Sequence, residues 1–285
     1  MSRRDGAGVF AVALMAAPVV AGGLYSLAAA VGLAGAGANG LSAVRLVDVM
    51  RDSSTWRSIG WTFYTAGSAT LLATAAALLA SVQLQQSRVG RALAILPLAV
   101  PHVAAALAAL LLLGQSGLLS RIAFAAGLIA QPSEFPVLVY DRPGASLIIS
   151  FAWKEFPFLT LTALAVLQTA GSTLTEVART HGADARAIFR RVTWPLLWRG
   201  LAPAVIAVFA FLIGQYEMAV LLAPSDPLPL SVLTYERVND ADLARRGEAY
   251  VLGLLALLLA AALVVVHERL REDDSGHVGA GGRNA

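Results

Sequence analysis

Long stretches without a charged side chain alternate with short polar segments along this chain. Residues 6–44 and 58–87 carry no Asp, Glu, Lys or Arg, and residues 92–120 carry only His102 as an ionisable side chain. Residues 143–175 are interrupted only by Lys154 and Glu155, residues 200–225 only by Glu217, and residues 249–266 by nothing. An apolar run of about 18 or more residues is long enough to cross a bilayer as a helix. The pattern therefore predicts an all-α, polytopic membrane protein with six transmembrane helices. The apolar stretch 122–133 is too short to cross and predicts an interfacial or re-entrant helix.

Composition agrees, with 58% hydrophobic and 14% charged residues and a mean hydropathy of +0.70. A soluble domain of this length needs more charge to cover its surface. Arg3 and Arg4 precede the first span as they would a signal peptide, but its uncharged run is longer than the usual h-region of about 7–15 residues. A retained helix is expected. Asp-Gly after the twin arginine also disfavours a twin-arginine export signal. With no cysteine, disulfides, zinc–thiolate sites and cysteine nucleophiles are excluded. If the N-terminus is inside, the inner segments hold twelve arginines against eight outside, and the outer eight face nine acidic residues. Both termini are then expected in the cytoplasm. The polar, Gly-rich residues 272–285 are expected to be disordered.

The largest expected inner loop contains TEVARTHGADARAIFRRVTWP, residues 175–195. Thr173 and Glu176 fit a capping box, which predicts a short helix from Leu174 to about His181. Gly182 should break it, because glycine tolerates the positive φ of a tight junction. A second short helix is expected from Ala183 to Val192, with Ile188, Phe189 and Val192 on one side. Pro195 suits the first turn of the fifth span. The residues alone leave two readings of this knob: an amphipathic element lying on anionic lipid, or a protein-docking element.

Glu176-Val177-Ala178, Gly182 six residues after the Glu, then Phe189 and Pro195, resemble the EAA loop of ATP-binding-cassette (ABC) importer permeases. Val177 stands for the usual Ala and Trp194 for the usual Leu before the Pro, both still apolar. LPLAVPHVAAALAALLLL (residues 96–113) resembles the family's Pro-containing third helix. FAWKEFPFLTLTALAVLQTAGSTLTEVA resembles the helix that enters the loop, and GQYEMAVLLAP the next helix in the polyamine, thiamine, ferric-iron, phosphonate and sulfate permease groups.

The resemblance implies a type I ABC importer transmembrane domain in a prokaryotic inner or plasma membrane. Residues 1–58 would form an N-terminal helix and external loop. Residues 59–266 would form the transport core, with the EAA loop at 172–199, and 267–285 a cytoplasmic tail. The implied ATPase-docking residues are Glu176, Val177, Ala178, Gly182, Phe189 and Pro195. Implied partners are a cytoplasmic ABC ATPase dimer, a second permease subunit (identical or related), an extracytoplasmic substrate-binding protein and membrane lipid, with no nucleic acid. The chain would bind no cofactor or metal itself, with ATP and Mg on the partner ATPase. It has no G-x-x-x-x-G-K-[ST] loop of its own.

Lys154 and Glu155 lie within about one helical turn of the depth of Glu217. Such charges rarely face lipid. One reading is a structural ion pair of Lys154 with Glu217. The other places Glu155 or Glu217 on the pathway, with Tyr216 and Trp153 beside them and a net negative charge that favours a cation. His102, next to Pro101, is expected to bond carbonyls freed at the proline. An ion-coupled secondary transporter would predict an inverted repeat, and the two halves of the chain do not resemble each other. A membrane-embedded enzyme would need a nucleophile with a base or a histidine cluster. The histidines are scattered at 102, 181, 267 and 277.

Overall fold

The computed structural model describes the backbone of residues 3–35, 37–84 and 87–280, and side chains within these except 3–7, 11, 170–173 and 270–280. Six helical segments are long and apolar enough to cross a membrane: Gly8–Ala30, Ser53–Leu84, His102–Ala125, Ala145–Thr169, Ala185–Gly214 and Leu243–Arg269. They match the six uncharged stretches, and among the described residues there is no strand. The chain divides into two compact units, residues 1–60 with 228–261, and residues 61–227 with 262–285.

The first unit contains α1 (Arg3–Ala30), α2 (Val44–Arg51), the start of α3 (Ser53–Leu84), α12 (Leu230–Val238) and the first half of α13 (Leu243–Ala280). The segments carrying α2 and α12 read as loops in the sequence, because eight or nine residues are too few to show a periodic apolar face. They are helical here because Val49, Leu230 and Leu233 are buried with Ala30, Val251 and Leu252 in one apolar cluster. Ser58 Oγ donates to Leu228 O at 2.6 Å. The Arg237 guanidinium joins Asp52 at 2.8 Å and Glu248 at 3.5 Å. α13 continues to Ala280, past the expected end at Val266; residues 281–285 of the expected disordered tail lie outside the described residues. Glu268-Arg269-Leu270-Arg271-Glu272 are good helix formers and extend the span without a break.

Burial pulls the Asp52 carboxyl upward, but hydrogen bonds from the Ser54 hydroxyl and amide and the charges of Arg237 and Arg245 outweigh it and hold the group below its ordinary value. A lowered folded value means the contribution to stability is complete above the unfolded pKa of about 3.9 and is lost as pH falls through the folded value. Thermal melts of the detergent-purified chain and its Asp52→Asn variant should separate above about pH 4 and converge below it. A gap that stays constant down to the acid limb would rule out this linkage.

The second unit contains the rest of α3 with α4 (Arg88–Ile95), α5 (His102–Leu113), α6 (Leu118–Ala125), α7 (Ala145–Val166), α8 (Ser172–Thr180), α9 (Ala185–Ile188), α10 (Trp194–Gly214) and α11 (Glu217–Leu222). α7 and α10 pack closely at Gly200, where an added Cβ would lie 2.5 Å from Val166 Cγ2. Beside that crossing Ala163, Leu167, Leu197 and Leu201 form a buried cluster with Leu78 and Val205 at its edge. The N-terminus of α7 is fixed by Asp141, whose carboxylate accepts from Ala145 N–H at 2.9 Å.

Several boundaries differ from the expected ones. The third apolar stretch is not one helix: a 3₁₀ turn at Leu96–Ala99 separates α4 from α5, and Gly114–Gly117 separates α5 from α6. Pro97 and Pro101 lack the N–H groups that would carry the ladder across the first break. The stretch 122–133 does not make a helix of its own. α6 ends at Ala125, Gly127 takes φ +69°, and a 3₁₀ turn follows at Pro132–Glu134. The fifth stretch breaks after Gly214, so Glu217 begins the separate helix α11.

Candidate functional site

The EAA-like loop folds as a knob between α7 and α10. α8 does not start at a cap. A π-helical turn, Leu167–Gly171, carries the chain from α7 straight into α8. The expected Leu174 start is therefore corrected, and the capping role of the Thr173 side chain lies outside the described residues. The C-terminal end agrees with expectation. α8 stops at Thr180, and Gly182 has φ +77°. Gly182 N–H donates to Arg179 O at 2.9 Å and Ala183 N–H to Ala178 O at 3.1 Å, the paired bonds of a Schellman termination.

The second helix starts at Ala185 rather than Ala183, because the Asp184 carboxylate caps it by accepting from Ala187 N–H at 2.8 Å. It passes through a second π turn, Phe189–Thr193, directly into α10, with Pro195 in the first turn of α10. Extra residues inserted into a helix commonly mark functional positions, and here one lies on each side of the knob.

Glu176, Val177 and Pro195 are exposed and Ala178 is half-buried. Val177, Ala178 and Pro195 line one cavity of about 540 Å³ together with Leu174, Val192 and Leu196. Phe189 does not join them. Its ring lies 6.4 Å from that of Trp194, and both line a separate apolar cavity of about 420 Å³ against Leu78, Leu79 and Val82 of α3. Of the expected apolar side of the second helix, Ile188 is buried and Phe189 exposed.

The intramembrane charges are arranged differently from the expected pair. Lys154 is 4% exposed, and its Nζ donates to Pro97 O at 2.8 Å and Val100 O at 2.6 Å. Pro97 O cannot receive the usual bond from four residues on, because that residue is Pro101. Val100 is extended, with φ −85° and ψ 124°, so its carbonyl leaves the ladder. An unpaired carbonyl within a membrane is costly; the ammonium gives Val100 O a donor and adds a second to Pro97 O, which also accepts from Val100 N–H at 3.3 Å. Glu217 is exposed at the first position of α11, where the helix dipole favours a carboxylate. Among the described residues no ion pair joins Lys154 to Glu217.

His102 does not take the freed carbonyls either. Its Nε2 is buried without a hydrogen bond, 3.8 Å from Glu155 Oε1. His102, Lys154 and Glu155 line a cavity of about 390 Å³ with Leu98, Phe158 and Phe211, and the rings of His102 and Phe211 are 5.7 Å apart. Glu155 thus lines this space with the His102 imidazole 3.8 Å away. Tyr216, Trp153 and Glu217 are not part of that lining. Phe158 and Phe211 escaped the sequence reading. Phe158 sits four residues after Lys154 in α7, in helical register with it, which is the available signal.

A family model described as "Binding-protein-dependent transport system inner membrane component" matches residues 69–271. The chain is 32% identical over 181 residues to the molybdenum transport system permease protein ModB of Mycobacterium tuberculosis, covering 62% of each chain. It is 29% identical over 174 residues to the inner membrane ABC transporter permease protein YnjC of Escherichia coli, covering 59% of this chain and 31% of that one. It therefore spans less than two thirds of these curated relatives. A crystal structure of a bacterial ABC transporter involved in the import of the acidic polysaccharide alginate superposes with a TM-score of 0.70 at 17% identity, over 94% of this chain and 93% of that one. That likeness shows a shared fold.

Proposed function

Since this chain belongs to the binding-protein-dependent transport system inner membrane components, we propose that it is a permease subunit of an ATP-driven ABC importer, forming half of a translocation pathway. A separate cytoplasmic ABC ATPase dimer, with its ATP and Mg, would seat on the knob formed by α8, Gly182 and α9. A second permease subunit, identical or related, completes the pathway, and an extracytoplasmic binding protein delivers the solute.

The observation that carries this reading is the knob. Glu176 and Val177 are exposed on α8 with half-buried Ala178 beside them, the helix is stopped by Gly182 at positive φ, and the chain then enters α10 with Pro195 in its first turn. Two spans rise from its base, packed at Gly200, so a force on the knob is passed to α7 and α10 together. Phe189, exposed beside Trp194, lines a separate apolar cavity that faces α3. The cavity holding His102 and Glu155 is the proposed pathway-facing surface, with Lys154 holding its wall in shape. The ion-coupled alternative has no observation in its favour.

Orientation follows from the docking assignment and the arginine bias: both termini and the knob are cytoplasmic. Affinity capture from the native membrane should recover an ABC ATPase and a permease subunit. Reporters after Gly90 and at Ala285 should read as cytoplasmic, and reporters near Gly117 and Asp226 as external. The reverse reporter pattern, or capture without an ATPase, would overturn the reading.

A further inference from the structure

The cavity lined by His102, Lys154 and Glu155 carries an acceptor that the chain itself leaves unfilled. Glu155 is only 9% exposed, yet among the described residues no donor forms a hydrogen bond to its carboxylate. His102 Nε2 lies 3.8 Å from Oε1, beyond hydrogen-bond reach, and that nitrogen is itself buried without a hydrogen bond. Lys154 supplies a neighbouring positive charge, but two of its three protons go to Pro97 O and Val100 O at the break between α4 and α5. A buried carboxylate has about four lone-pair sites to fill, and leaving them empty is costly. The donor has to come from outside the chain.

The rest of the lining selects among donors. Phe158 of α7 and Phe211 of α10 bring two aromatic rings to the same cavity, and they are 43% and 47% exposed. Aromatic rings attract cations through their negative faces, and Leu98 and Val208 add apolar wall. A metal ion needs more ligands, and among the described residues no three His, Asp or Glu side chains are grouped to hold one. An anion needs donors, which this lining supplies only through the remaining Lys154 proton and His102. The volume of about 390 Å³ falls within the range of about 300–1,000 Å³ usual for small-molecule sites.

We propose that this cavity is a subsite for a small organic ammonium ion. Its N–H groups donate to the Glu155 carboxylate and, in the Nδ1–H form of the imidazole, to His102 Nε2. Its apolar body lies against Phe158 and Phe211. The proposal rests on the pathway-facing reading of this cavity and names the class of solute that the pathway takes. Selectivity follows from hydrogen-bond satisfaction. A solute without N–H donors leaves the buried carboxylate unfilled, and a neutral solute forgoes the charge-assisted bond as well.

The full-length chain in nanodiscs tests it by fluorine NMR titration of para-fluorobenzylammonium. The probe's neutral and anionic counterparts are para-fluorobenzyl alcohol and para-fluorobenzoate, and empty nanodiscs correct for partition into lipid. Wild type should bind the ammonium most tightly of the three. Glu155→Gln should weaken the ammonium by about ten-fold or more, the worth of a hydrogen bond between charged partners, and leave the alcohol unchanged. Phe211→Leu should weaken it by about three-fold through loss of the ring, and keeps the test valid should Glu155→Gln fold poorly. Equal ammonium affinity in wild type and Glu155→Gln would overturn the proposal, since water alone would then fill the carboxylate. So would an unchanged affinity in Phe211→Leu, or tighter binding of the benzoate, which would make the last Lys154 proton the recognition element. The two readings fail separately. Capture of an ATPase from the native membrane without Glu155-dependent binding would sink the ammonium site and leave the importer standing. Glu155-dependent binding without an ATPase would do the reverse.

Discussion

Replacing Lys154 by Met should sharply reduce the folded fraction in detergent, and adding Glu217→Gln should not restore it. The ammonium donates to Pro97 O and Val100 O at 2.8 and 2.6 Å. Met cannot donate, so Val100 O loses its donor at about 1–3 kcal/mol, while Pro97 O keeps only its bond from Val100 N–H at 3.3 Å. Loss of the cation also leaves Glu155 without its neighbouring positive charge, and a stranded buried charge costs about 3–5 kcal/mol by itself. Part of this is offset because Met needs no desolvation, which leaves a net loss of roughly 3 kcal/mol or more. Glu217→Gln alone should fold as wild type, since its side chain is exposed at the start of α11. Lys154→Arg, which still donates, should fall between. These are measured as the surviving monodisperse peak after graded heating. Rescue of Lys154→Met by Glu217→Gln would instead establish an ion pair and exclude the carbonyl cap.

The contrast between those two residues shows which parts of the molecule could be read from the chain. The six spans were legible because bilayer thickness imposes a length on apolar runs that almost nothing else does. Gly182 was legible because positive φ selects glycine, and Pro195 because a first helical turn tolerates a missing N–H. The partner of Lys154 was not deduced, although the clue was present. Pro101 stands four residues after Pro97, so Pro97 O must lack its ladder donor, and a lysine in the next span can supply one. Pairing by opposite charge and similar depth overlooked that neutral carbonyls also need satisfying. The break between α10 and α11 carried a weaker signal, Gly214, in a segment otherwise apolar enough to continue. The π turns beside the knob left no local mark.

Gly182→Pro should leave the chain inserted in the membrane while its recovery with the ATPase falls by about two orders of magnitude. Proline fixes φ near −65°, whereas the native value is +77°. It also deletes the N–H that donates to Arg179 O at 2.9 Å, so α8 loses its termination and the knob points elsewhere. A penalty of about 3 kcal/mol on the docking-competent shape corresponds to roughly a hundred-fold in binding. Gly182→Ala isolates the conformational part. No atom lies within 4 Å of the added Cβ, so its only cost is the left-handed backbone, about 1–2 kcal/mol. Gly182→Asn, which visits that region more readily, should recover most of the binding. Glu176→Lys is the complementary test. Because α8 continues from α7 through a π turn, Glu176 does not sit at a free positive helix end, and the variant should act through reversed charge on the outward face of the knob. Normal insertion with weakened ATPase recovery is therefore expected for Gly182→Pro and Glu176→Lys, graded through Ala to Asn at position 182. ATPase recovery equal to wild type in both would assign the knob to the lipid surface alone.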